Sequence, residues 1–151
     1  MPQSLCAVYV HVVFSTKGRR PFLRDAVVRR ALLAYLGGIS SRLGCAPIVV
    51  GGVEDHVHIL CHLGRTVTLA GLVKELKRVS NQWLKERGDG YTDFGWQGGY
   101  ATFSVSQSRL EAVRRYIANQ EAHHLRVGFQ DEVRLLLQRH NMTWNEEHVW
   151  D

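Results

Sequence analysis

Residues 4 to 14 (SLCAVYVHVVF) alternate in polarity and are rich in Val, Tyr and Phe, the period-two pattern of a strand. A basic turn around Gly18 and Pro21 follows. The period then becomes helical from about Asp25, a suitable N-cap, to Leu43, with Gly44 placed as its stop. Residues 47 to 53 (PIVVGGV) and 56 to 63 (HVHILCHL) read as two strands, and the short Glu54-Asp55 link between them predicts an antiparallel hairpin. Leu69, Leu72, Val73, Leu76, Val79, Trp83 and Leu84 mark an amphipathic helix opened by Thr66 or Thr68. After the loop ERGDGYTDFGWQGG a short strand, YATFSVS, starts at Tyr100. The order βαββαβ, then helices, predicts an α+β protein built on a ferredoxin-like sheet.

Ser108-Arg109-Leu110-Glu111 has the form of a capping box, so a helix of about residues 108–125 is expected to begin there. Its apolar stripe runs through Leu110, Val113 and Ile117. Tyr116 and Gln120, one turn apart, lie together on the flank of that stripe. A C-terminal helix and tail are expected over about 129–151. No repeat, low-complexity tract or linker interrupts the chain, so residues 1–151 read as one domain.

The chain has 151 residues, enough for one domain with a real core, and no apolar run approaches the 18 or so residues of a membrane span. The segment MPQSLCAVYVHVVF lacks a basic start, and Tyr9 and His11 interrupt its apolar run, so no export signal is read there. Three cysteines, Cys6, Cys45 and Cys61, without C-x-x-C spacing argue against a disulfide framework or zinc knuckle and fit a reducing cytoplasm. Nineteen Lys and Arg against 14 Asp and Glu give a net charge of +5, as expected of a protein that meets polyanions. The charge is clustered: Lys17, Arg19, Arg20, Arg24, Arg29 and Arg30 crowd one turn and helix start, and Lys74, Lys77, Arg78, Lys85 and Arg87 crowd another helix.

In DHVHIL, residues 55 to 60, His56 and His58 project from one face of a strand. Two imidazoles so placed can share an ion, or be satisfied polar residues on a half-buried strand. His11 is in register to sit near them, as a core or supporting residue. Asp55 suits either a hairpin turn or the orientation of a metal-bound imidazole. His123 and His124 fit a solvated or capping role at a helix end better than substrate contact. Tyr91, Phe94 and Trp96 suit either stacking on unpaired bases or closing the sheet.

The sequence resembles the single-tyrosine transposases of the HUH nuclease superfamily, the small type carried by bacterial insertion sequences and their REP-associated relatives. The resemblance covers nearly the whole chain. YVHVVFSTKGRRPFL is similar to the family's opening strand and turn, DHVHIL to its paired-histidine motif, WQGGYATFSVS to its last strand and RRYIANQEAHH to its tyrosine helix. It implies the HUH nuclease fold, with His56, His58 and Gln120 as ligands of a divalent metal, Mg²⁺ or Mn²⁺, and Tyr116 as nucleophile. The implied reaction cuts single-stranded or hairpin DNA through a 5′-phosphotyrosine and rejoins it with a 3′-OH. Lys17, Arg19 and Arg20 are the candidate DNA contacts. The resemblance also implies a homodimer in which a mobile tyrosine helix completes the partner's site; Gly98, Gly99 and the segment Ser106 to Ser108 are its candidate hinges.

Two other readings compete. A non-catalytic or domesticated nucleic-acid-binding ferredoxin-like domain shares the βαββαβ plan, but the aromatic segment of RNA-recognition sheets is missing. A small metal-dependent hydrolase would use the histidines to activate water and leave Tyr116 structural.

Overall fold

The computed structural model describes residues 2–151. Strands β1 (Tyr9–Ser15), β2 (Pro47–Gly52), β3 (His56–His62) and β4 (Ala101–Val105) form an antiparallel sheet in the order β2-β3-β1-β4. Helices α1 (Ala26–Arg42) and α2 (Leu69–Lys85) connect its halves. After β4 come α3 (Leu110–Ala118), the short α4 (Gln120–His123) and α5 (Phe129–Arg139). This is the expected ferredoxin-like plan, with both central strands, β1 and β3, nearly fully buried.

Local signals set the helix ends. Asp25 accepts from the amides of Val27 and Val28 to open α1, and Gly44, at φ +79°, turns the chain out after it. Thr68, not Thr66, caps α2 by accepting from Gly71 N.

The alternation of β1 and β3 divides the molecule into two layers. Val10, Val12 and Phe14 join Val57, Ile59 and Cys61 in a core under α1 and α2. On the other face Val13 and Phe103 pack against Phe129, Val133, Leu136 and Leu137, with Trp144, Val149 and Trp150 of the tail around them. The tail is tied back to the approach to β4: Asp151 O accepts from Gly99 N at 2.9 Å and from Gln97 Nε2 at 3.2 Å.

Three expectations are corrected. The first strand begins at Tyr9, not residue 4, because Tyr9 already lies opposite the last paired residues of both neighbours, His62 and Val105. The capping box does not form: Glu111 is engaged by Arg114 at 2.9 Å, Ser108 Oγ pairs with Ser106 Oγ at 3.0 Å, and a 3₁₀ turn over Gln107–Arg109 precedes α3. The tyrosine helix is not continuous to residue 125, since Asn119 (φ −102°, ψ 23°) breaks it between α3 and α4. In the loop before β4, Phe94 and Trp96 are buried edge-on against each other and against Phe22 and Phe14, so these two close the core. Among the described residues no helix is long and apolar enough to cross a membrane, and Cys6, Cys45 and Cys61 are free thiols.

Candidate metal and nucleophile site

His56 and His58 point to the same face of β3, opposite Ser15 and Val13 of β1, and both are completely buried. Each ring is fixed through Nδ1: that of His56 lies 2.7 Å from Asp55 Oδ1, and that of His58 lies 2.8 Å from His11 Nε2. Asp55 and His11 thus serve as supports, and both Nε2 atoms face the layer of α3, α4 and α5.

Gly51, paired with His58 on the edge strand β2, lets that layer come close. A Cβ at this position would lie 2.3 Å from the carbonyl oxygen of Ile117 and 2.9 Å from its side chain. The backbone of α3 therefore rests directly on β2, with Ile117 fully buried. Tyr116 then stands over the histidines, its ring 5.9 Å from that of His58 and 6.4 Å from that of His11. Despite the break at Asn119, Gln120 stays in reach: its Oε1 lies 3.3 Å from His56 Nε2.

The residue that joins these groups is Glu132 of α5, which is 2% exposed. Its Oε1 lies 2.9 Å from His58 Nε2 and 3.2 Å from the Nε2 atoms of His56 and His124. Its Oε2 accepts a very short hydrogen bond from the Tyr116 hydroxyl and another, at 3.2 Å, from Gln120 Nε2. Oε1 faces the imidazoles of His56, His58 and His124, and Oε2 faces the phenol and His123. Buried among bases, this carboxylate stays charged. Burial opposes ionisation, but the imidazoles of His124, His56 and His58 override it and hold Glu132 well below the usual carboxylate range. Burial brings His58 down to about 4, and burial together with His58 lowers His11, so both rings are neutral at physiological pH. His56 goes the other way, since Asp55 and Glu132 outweigh its burial. Burial and the adjacent Glu132 charge raise the Tyr116 phenol.

His56, His58, His124 and Glu132 each offer a ligand atom, all within 4.8 Å of one another. The donor set fits a divalent cation: three imidazole nitrogens and a carboxylate oxygen converge on one buried point, the mixed donors that such an ion takes. His123 Nε2 and His124 Nε2 support that fit. They lie 3.1 and 3.2 Å from the carboxylate but outside hydrogen-bonding geometry, leaving two buried ring nitrogens without a hydrogen-bond partner.

The described chain brings Tyr116, His56, His58 and Gln120 together. His123 and His124 belong to this site and do not form a solvated helix end. Glu132 carried no sequence signal, because an acid in the first turn of an amphipathic helix reads as a solvated dipole partner. Lys17 and Arg19 lie in a 3₁₀ turn followed by Arg20; it leaves the sheet at the His56 end, where Thr16 N donates to Asp55 O at 2.8 Å.

An antiparallel βαββαβ sheet that presents two histidines to a helix-borne tyrosine defines a class of protein. The family model for IS200-like transposases matches residues 4–120, and the chain belongs to that family. Two solved structures share the fold. A Deinococcus radiodurans protein assigned as a transposase aligns with a TM-score of 0.61 at 22% identity, over 80% of this chain and 95% of its own. A REP-associated tyrosine transposase bound to a REP hairpin aligns with a TM-score of 0.60 at 12% identity, over 82% of this chain and 72% of its own. A comparison with curated proteins returns no match. His123, His124 and Glu132 all lie beyond the residues that the family model matches.

Proposed function

We propose that the protein is a DNA strand transferase that cuts single-stranded or hairpin DNA with Tyr116 and rejoins it. The observation that supports this most is the hydrogen bond from the Tyr116 hydroxyl to Glu132, whose other oxygen belongs to the imidazole cluster. A buried phenol needs a hydrogen-bond partner, and here that partner is the carboxylate that the imidazoles surround, which puts the phenol oxygen beside the cluster. Attack by the Tyr116 oxygen on phosphorus forms a phosphotyrosine and breaks the P–O3′ bond. The hydrogen bond to Glu132 aims the phenol oxygen, whose proton passes to water as the bond to phosphorus forms, and the departing 3′ oxygen takes a proton from water. Because the phosphoester energy is kept in the tyrosine linkage, a 3′-OH reverses the step and rejoins strands.

His56, His58, His124 and Glu132 would hold the divalent ion, with Gln120 beside them. Mn²⁺ suits the mixed imidazole and carboxylate donors, and Mg²⁺ the carboxylate and phosphate oxygens. When bound, the ion offsets the negative charge that builds on the phosphate. Asp55 and His11 keep the two strand histidines oriented. Lys17, Arg19 and Arg20 supply phosphate contacts at the His56 end, giving binding that weakens steeply with salt. A homodimer, as the resemblance implies, would then pair two sites that are each complete.

The test is a search for DNA attached to denatured protein. Tyrosine attack leaves a covalent adduct that Tyr116→Phe abolishes while binding stays within severalfold. A free 5′ phosphate without adduct would establish water attack, and binding without any cut would leave a non-catalytic domain.

A further inference from the structure

Next to Tyr116 lies a cavity of about 480 Å³ between α3, α5 and the end of β4. None of His56, His58, His124 or Glu132 lines it. Its size is within the roughly 300–1,000 Å³ of sites that enclose small organic ligands. Buried Phe103 and His11 form one part of the lining, and the ring of His140 lies against Phe103 with centroids 4.6 Å apart. Arg109 and Arg139 also line it. Neighbouring arginines are already paired, Arg114 and Arg115 with Glu111, and Arg134 with Asp131 and Glu146. Among the described residues Arg109 and Arg139 form no ion pair.

Aromatic surface, two unpaired guanidiniums and a phenolic wall together suit a nucleotide: rings for the base, guanidiniums for phosphate. Resting on the function proposed above, in-line displacement says which nucleotide. The departing 3′ oxygen must lie opposite the Tyr116 oxygen, so the upstream strand is on the far side of phosphorus. The nucleotide that keeps the phosphate turns sideways, along the tyrosine.

We infer that this cavity seats the nucleotide immediately 3′ of the cut, the one whose 5′ phosphate becomes joined to Tyr116. It would hold that nucleotide during the covalent intermediate, keeping the linkage in place until a 3′-OH arrives.

Two measurements test this. The first is NMR titration of the full chain with thymidine 5′-monophosphate in EDTA, which keeps the ion site out of the readout. Saturable shifts are expected at Phe103, Arg109, Tyr116 and His140, with affinity lowered by roughly tenfold or more in an Arg109→Gln/Arg139→Gln double variant that unfolds at the wild-type temperature. Absence of saturable shifts at those residues, equal shifts with inorganic phosphate, or unchanged affinity in the double variant would overturn the assignment. The second uses a hairpin strand that the wild type cuts. Removing the base immediately 3′ of the cut should raise KM for adduct formation by roughly tenfold, and removing the base immediately 5′ should not. No adduct on the intact strand would refute the transferase reading. Adduct formed equally well from both base-lacking strands would refute the cavity assignment alone.

Discussion

Glu132 accepts the hydroxyl proton of Tyr116 with one carboxylate oxygen while the other lies 2.9 Å from His58 Nε2. The Tyr116 phenol and the imidazole cluster are therefore joined through a single side chain, and disturbing one disturbs the other.

Glu132→Gln keeps the shape of the side chain and removes its charge. It is expected to slow adduct formation by about 10²-fold or more, since the phenol oxygen loses the charged partner that aims it. It should also abolish thermal stabilisation by Mn²⁺, which reports ion binding without turnover. A gel time course within threefold of wild type would rule out the assigned role.

Closure of the site within one chain makes a definite demand of mixed subunits. Co-purified His56→Ala and Tyr116→Phe chains should form no adduct, since each chain carries a broken site. Recovery of activity in the mixture would mean that Tyr116 serves a partner's histidines.

Asp55 holds His56 by Nδ1, so Asp55→Asn should leave the fold intact and weaken the grip on metal. A loss of about 10- to 100-fold in Mn²⁺ affinity is expected, typical for groups that orient a ligand. Calorimetric titration measures it directly, and unchanged affinity would return Asp55 to the role of a turn residue.

At Gly51 an added methyl group meets the Ile117 backbone, which cannot swing aside as a side chain would. Gly51→Ala is expected to cost about 1–3 kcal/mol of unfolding free energy and to lift Tyr116 from the histidines. Gly38→Ala, inside α1 with nothing within 4 Å of the new carbon, should instead stabilise by about 0.5–1 kcal/mol. Urea denaturation of the pair separates steric contact from a general dislike of alanine.

The sheet was legible because each strand and both connecting helices carry their own period and caps: Asp25, Gly44 and Thr68 act where local chemistry puts them. The paired histidines were legible for the same reason, as strand alternation fixes their common face. What could not be read depends on tertiary partners. Glu132 looks like any first-turn acid until α5 is packed on the sheet. His123 and His124 look terminal until the chain bends at Asn119. Ser108 and Glu111 had the right spacing for a cap, but Glu111 is held by Arg114 instead. The alternation of residues 4–8 predicted more strand than its neighbours are long enough to pair.

The two layers of the molecule are unequal. Among the described residues, seventeen buried side chains make up the core beneath α1 and α2, and six make up the core that α5 shares with the tail. Glu132 belongs to the thinner layer, whereas His56 and His58 belong to a strand anchored in the thicker one. Sub-global opening should release α5 and the tail first, so amide exchange ought to be faster over residues 129–139 than in β1 or β3. Such an opening would free the Tyr116 hydroxyl and uncover the imidazoles together while leaving the sheet intact, and its free energy would set how often the site is exposed to a DNA strand.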